Sequence, residues 1–226
     1  MARIENAKVK SSSGAYDRLF GIPALGRLIS RVQSAVISSG TELERIILDR
    51  VERIDDLDEF LQQEIMPDGV LIAPKKQIKK CQSLDFPDAE PDFLIFKRRG
   101  GRQHCHVVEL KDGHQFDTKK SSAERRAIHS FIERNAQMLP YRISAHFCCF
   151  NQDRQDAIVA GFKNKINQAE AMTGRQFCEL LEIDYDDIVQ KRQSEQPANV
   201  RFFLRELVKI DQVRILLREL LRNRDD

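Results

Sequence analysis

The chain has 226 residues, 41% hydrophobic and 32% charged, with no Trp and a formal net charge of +2. That is apolar material enough for one large domain, or a main domain with an appendage, and too much for a disordered chain. No apolar run approaches the ~20 residues that cross a bilayer, the N-terminus lacks the apolar stretch of a secretory signal, and the near-neutral charge does not by itself call for a nucleic acid. Five cysteines, two of them adjacent (Cys148, Cys149), do not make a disulfide framework; they are expected as reduced, mostly buried thiols of a cytoplasmic protein.

Residues 1–16 are polar and Ser-rich, and 17–36 carry apolar residues at helical spacing around Gly and Pro breaks. A helix is predicted from Thr41, with Leu43, Ile46, Ile47, Val51, Ile54, Leu57 and Leu61 as one stripe and Thr41 with Glu44 as a capping box. Pro67-Asp68-Gly69 and Pro74 then turn the chain into short strands. Residues 93–96 (FLIF) read as a strand, Lys97 to Gln103 as a basic hairpin turn with two glycines, and 104–110 (HCHVVEL) as the return strand. After Gly113 the pattern is helical, with a second capping box at Ser121 and Glu124 and with Ile128, Phe131 and Ile132 facing inward. A third strand, Ile143 to Phe150, follows Pro140.

From about 153 to 223 the chain reads as helices broken near Gly174, Asp184 and Pro197. The last piece has a stripe of Phe203, Leu207, Ile210, Val213, Leu217, Leu220 and Leu221, which either closes the core or forms a subunit interface. The order of elements implies an α/β fold, a mixed central sheet flanked by helices with a helical C-terminal region.

Pro91-Asp92, sixteen residues, then Glu109-Leu110-Lys111 is the segment that carries chemistry. Strand residues two apart face the same side, so Glu109 and Lys111 project together, and the hairpin brings Asp92 beside them. Two carboxylates, the Leu110 carbonyl and phosphate oxygens form an all-oxygen ligand set suited to Mg²⁺, with Mn²⁺ as a substitute. A cation neutralises the charge that shields a phosphodiester from attack, and the lysine adds positive charge where the transition state needs it. The competing explanation is an ordinary Glu109–Lys111 ion pair at a strand end. Burying such charges among Phe93–Phe96 and Val107-Val108 is costly unless they are coordinated, which favours the site.

Proline-aspartate at a strand start, followed by E-x-K inside an apolar strand, resembles the active site of the PD-(D/E)xK nuclease superfamily, of the type II restriction endonuclease kind. The resemblance covers roughly residues 41 to 150. It implies Asp92 and Glu109 as metal ligands together with the Leu110 carbonyl, Lys111 as the catalytic lysine, and Glu44 as a helical glutamate supporting the metal, in competition with its capping role. It further implies a nuclease core over 1–150 with a helical region over 151–226. The activity implied is metal-dependent cleavage of double-stranded DNA by a cytoplasmic homodimer. Alternatives are a repair or junction-resolving nuclease of the same fold, or a non-catalytic DNA-binding module.

Lys97 to Arg126 holds nine Lys or Arg against four Asp or Glu, more positive than the whole chain. Arg98, Arg99, Arg102, Lys119, Lys120 and Ser121 are therefore the expected DNA contacts, close to Lys111, against the alternative of a solvated charged face. His104-Cys105-His106 is set aside as a zinc motif. Strand alternation sends the cysteine to the opposite face, and no second ligand pair stands at zinc spacing.

Overall fold

The computed structural model describes residues 2–8, 14–63, 66–86, 90–114, 121–139 and 141–223. They form two compact units, a middle one of residues 46–185 and one assembled from both ends, 1–45 with 186–226. None of the described helices is long and apolar enough to cross a membrane.

The middle unit is built on a six-stranded mixed sheet in the order β1 (Glu52–Arg53), β2 (Gly69–Pro74), β3 (Phe93–Arg99), β4 (Arg102–Lys111), β5 (Arg142–Cys149) and β6 (Ala171–Thr173). β2, β3 and β4 pair antiparallel, whereas β1–β2, β4–β5 and β5–β6 are parallel. The β3–β4 hairpin closes on Gly100-Gly101 at φ +57° and +78°. Both central turn residues need positive φ to match the strand twist, and glycine reaches it without strain.

Alternation along the strands gives the sheet two buried faces. On one, Leu94, Phe96, Cys105, Val107, Ala145 and Phe147 pack with Ile128 and Phe131 of α5 (Ser121–Asn135) and with α3 (Leu57–Leu61) and α6 (Gln155–Gly161). On the other, Phe93 meets Phe177 of α7 (Gly174–Leu181), ring centroids 6.1 Å apart. A short helix, α4 (Lys75–Ile78), leaves β2 directly. All five cysteines are free and buried, as their composition led us to expect.

The terminal unit is helical: α1 (Gly14–Phe20), most of α2 (Pro23–Leu48), α8 (Tyr185–Gln193, from its second residue), α9 (Gln196–Val208) and α10 (Asp211–Arg222). Buried Arg192 donates to Ser39 Oγ at 2.7 Å, and the Arg3–Glu195 pair ties the N-terminal segment to the start of α9.

Two helix expectations are corrected here. α2 begins at Pro23, not Thr41, so Thr41 and Glu44 are interior residues and form no capping box. The stripe through Val51, Ile54 and Leu57 is also not one helix, because α2 stops at Leu48 and Ile54 N–H donates to Ile72 O of β2 at 2.9 Å. The C-terminal stripe is divided between α9 and α10 and buries only Ile210; the buried aromatic of α9 is Phe202, with the Arg31 and Arg205 guanidiniums over its ring. Val200, Leu204 and Val208 of α9 and Leu216, Leu220 and Leu221 of α10 are exposed within this chain.

Candidate active site

β3 and β4 pair with Phe93 opposite Val108. Carried one residue further, that register sets Asp92 opposite Glu109, on the face that α5 covers. Asp92 sits just before β3 and is tied at both oxygens. Its Oδ2 accepts the Leu110 N–H at 2.9 Å, and its Oδ1 lies 3.2 Å from Lys75 Nζ. Lys75 opens α4, and its own N–H donates to the Asp92 carbonyl at 2.9 Å.

Glu109 is 12% exposed, and its Oε1 accepts from Lys111 Nζ at 2.7 Å. Lys111 reaches a third carboxylate, Glu124 Oε1 in the first turn of α5, at 3.3 Å. Its backbone is fixed by the Phe150 N–H, which donates to Lys111 O at 2.8 Å. Three carboxylates and two ammonium groups thus share the end of the sheet.

The charges strain one another. Burial, then the neighbouring Asp92 carboxylate, pushes Glu109 up to about 7, against the pull of Lys111 and Lys75. Burial works against the Lys111 ammonium, but Glu109, Glu124 and Asp92 outweigh it and hold the proton more firmly than usual. Lys75 is raised in the same way, burial being overcome mainly by Asp92. A buried carboxylate that keeps its proton to near neutrality beside a second carboxylate is relieved by a cation.

The donor set fits a hard divalent ion. Within a strand the N–H and C=O of one residue leave on the same edge, so the Leu110 carbonyl projects with its N–H toward Asp92. Two carboxylates and a carbonyl suit magnesium, which completes its shell with water and substrate phosphate. Among the described residues no three His, Cys, Asp or Glu side chains are grouped as metal ligands.

The other expected residues are distributed differently. Glu44 is in the interior of α2, in the terminal unit, and not in the unit that carries Asp92, Glu109 and Lys111. Arg98 is half-buried, donates to the Met66 carbonyl and lies 3.4 Å from Asp68, anchoring the loop before β2. Arg99 and Arg102 are exposed beside the hairpin turn. The turn is not close to Lys111: Arg102 and Lys111 are the two ends of β4, nine steps and roughly 30 Å apart at strand rise. Ser121 is 1% exposed, and Lys119 and Lys120 lie outside the described residues.

Sequence reasoning missed Lys75 and gave Glu124 only a capping role. It also missed a second polar cluster on the other face of β4 and β5. Cys105 turns away from the two histidines beside it, as alternation requires, but His104 and His106 join His146. Ser144 Oγ lies 3.0 Å from His104 Nε2, 3.2 Å from His106 Nδ1 and 2.8 Å from His146 Nε2. Burial above all, then the neighbouring cations and imidazoles, lowers His106 to about 3 and His146 to about 4.

A mixed sheet that gathers two carboxylates and a lysine at one end of its central strands holds groups that could serve the hydrolysis of a charged ester. The chain is 36% identical over 221 residues to the type II restriction enzyme HhaII of Haemophilus parahaemolyticus, covering 95% of this chain and 97% of that protein. It belongs to the type II restriction enzyme family that this relative represents. No family model and no solved structure matches the chain.

Proposed function

We propose that this protein is a site-specific endonuclease of the PD-(D/E)xK type, which uses Mg²⁺ to hydrolyse phosphodiester bonds of double-stranded DNA. The observation that carries the reading is the placement of Asp92 and Glu109 on facing strand positions with Lys111 on the same side. Kinship along almost the whole chain with a type II restriction enzyme supports the same conclusion.

Asp92, Glu109 and the Leu110 carbonyl would hold the cation, which supplies positive charge to the phosphate and acidity to a water. The Leu110 N–H fixes Asp92 Oδ2, so one carboxylate oxygen is oriented before any ligand arrives. Lys111, held between Glu109 and Glu124, puts a permanently charged ammonium beside the reacting phosphate, where negative charge grows in the transition state.

Exposed Arg99 and Arg102 are offered as duplex contacts at the far end of the hairpin, with Lys119 and Lys120 as further ones; Ser121 is buried and is not among them. Arg98, committed to the Met66 carbonyl, is better explained as an anchor for that loop. A symmetric duplex site has two equivalent strands, and one site per chain cuts both only if two copies act. The exposed apolar side chains of α9 and α10 support a homodimer in the cytoplasm, with those helices in its interface.

The test is plasmid cleavage in Mg²⁺, Mn²⁺, Ca²⁺ and chelator. Discrete fragments in Mg²⁺ or Mn²⁺, with none in Ca²⁺ or chelator, are expected. Full activity in excess chelator overturns the metal, and a smear overturns site specificity. Light scattering that finds a monomer both free and on DNA removes the dimer.

A further inference from the structure

Lys75 has no counterpart in the three-residue motif, yet it makes the closest contact to the outer oxygen of Asp92. We propose that Lys75 makes divalent-cation binding at Asp92 depend on DNA: its ammonium occupies the oxygen that a cation needs, and a phosphate of the duplex is the partner to which it moves. This rests on the reading above, and deepens it.

Oδ2 of Asp92 accepts the Leu110 N–H, so Oδ1 is the oxygen not tied to the backbone and the more open to a cation, and Lys75 Nζ stands 3.2 Å from it. An ammonium and a divalent ion cannot share that oxygen, since like charges at such distances repel strongly in a partly buried site. The two lysines differ in what remains once a cation takes their carboxylate. Lys111 keeps Glu124, 3.3 Å away. Lys75 has no second carboxylate within ion-pair distance among the described residues, and nearby Glu90 is paired with Lys79 at 3.5 Å.

The geometry lets Lys75 move without cost to the fold. Its backbone is pinned, with Pro74 paired opposite Phe93 and its own N–H on the Asp92 carbonyl. Its side chain is 41% exposed, so the ammonium can swing outward on its four-carbon stem while Asp92 stays. The acceptor must be anionic and must lie beside Asp92. In a nuclease that is a phosphate at or next to the bond being cut. A cation and the duplex then favour each other, and the coupling is reciprocal.

The experiment compares wild type with Lys75→Met, which keeps the stem and removes the charge, Lys75→Arg, which keeps a cation, and Asp92→Asn. Ca²⁺ binding to the full-length protein is measured by calorimetry. Affinity for a random-sequence duplex pool is measured by filter binding with and without Ca²⁺. Lys75→Met should bind Ca²⁺ about tenfold more tightly than wild type in the absence of DNA, and Lys75→Arg should stay near wild type. Ca²⁺ should tighten wild-type DNA binding about tenfold or more, and Lys75→Met clearly less. Weaker or unchanged Ca²⁺ binding in Lys75→Met would make the residue a brace for Asp92 and overturn the proposal, as would undiminished coupling in that variant. Ca²⁺ binding that Asp92→Asn leaves intact would instead remove the metal-site reading itself.

Discussion

β4 carries polar side chains on both faces of the sheet, and the two clusters they join differ in kind. On the α5 face, Asp92, Glu109 and Glu124 are held by Lys75 and Lys111, and the charges shift one another. On the α7 face, His104, His106 and His146 gather round the Ser144 hydroxyl, and burial keeps the imidazoles neutral. The second cluster is uncharged and bonds mainly round one hydroxyl, whereas the first carries more carboxylates than cations and calls for an outside partner. Density of polar residues therefore does not mark the site; uncompensated charge does.

The largest effect expected to sharpen this contrast is on cleavage. Asp92→Ala or Lys111→Ala should lower the rate about a thousandfold. His106→Ala should leave cleavage within about threefold and cost about 1–3 kcal/mol of stability through lost hydrogen bonds. Plasmid digestion and urea unfolding read the two quantities; a silent Lys111→Ala, or an inactive but fully stable His106→Ala, would break the comparison.

The next difference is in pH. His106 and His146 stand near 3 and 4 in the folded chain, below the ordinary 6.5. The unfolded chain thus takes up protons first as pH falls below 6.5, and the histidines withdraw stability from there down to about 3. Glu109 acts in the opposite sense, because its raised value costs stability as pH rises from 4.5 to about 7. Thermal melts of His146→Phe should lose less on going from pH 6.5 to 4 than wild type does. An equal loss would mean that the imidazoles are not kept neutral.

Smaller effects concern Lys111 and the hairpin. Glu124→Gln removes one of the two carboxylates on Lys111 and should lower kcat about tenfold with KM little changed, the mark of an interaction used in the transition state. A change confined to KM would move Glu124 from the chemistry to substrate binding. Smallest are Arg99→Ala and Arg102→Ala, each expected to reduce the salt slope of DNA binding by about one. Arg98→Ala should instead leave the slope unchanged and lower stability by about 1 kcal/mol, through its bond to Met66.

The α5-face motif was legible because its geometry is local. Strand alternation joins Glu109 to Lys111, and the two-glycine turn brings Asp92 back opposite Glu109. The sheet itself was legible as a class, mixed and flanked by helices. Lys75, Glu124 and His146 were not legible as partners, because each meets its neighbour only through strand order and helix packing that no spacing encodes. The start of α2 was hidden by glycine and proline read as breaks. Pro23 is instead the first helical residue, where its missing N–H costs nothing. Gly26 is a close approach: a Cβ there would lie 2.0 Å from Asp17 Oδ1. The stripe through Val51 and Leu57 kept helical spacing by chance across a chain that had already turned into β1.

The division of the chain has a consequence for how it folds. The middle unit is one continuous stretch, 46–185, and nothing outside that stretch is needed to complete its sheet. The terminal unit joins 1–45 to 186–226, so the contacts between its two halves form only when some 140 intervening residues are spanned. Closing a flexible loop of that length costs on the order of 2 kcal/mol more than closing one a tenth as long. Once the sheet has formed, the span is no longer flexible and that cost is already met. During synthesis the middle unit can be finished while α9 and α10 are still being made, and the terminal helices assemble last. Dependence between the units then runs mainly one way. Opening the sheet, as Phe147→Ala would, returns the long loop to the terminal helices, whereas loosening α10 leaves the sheet its own closure.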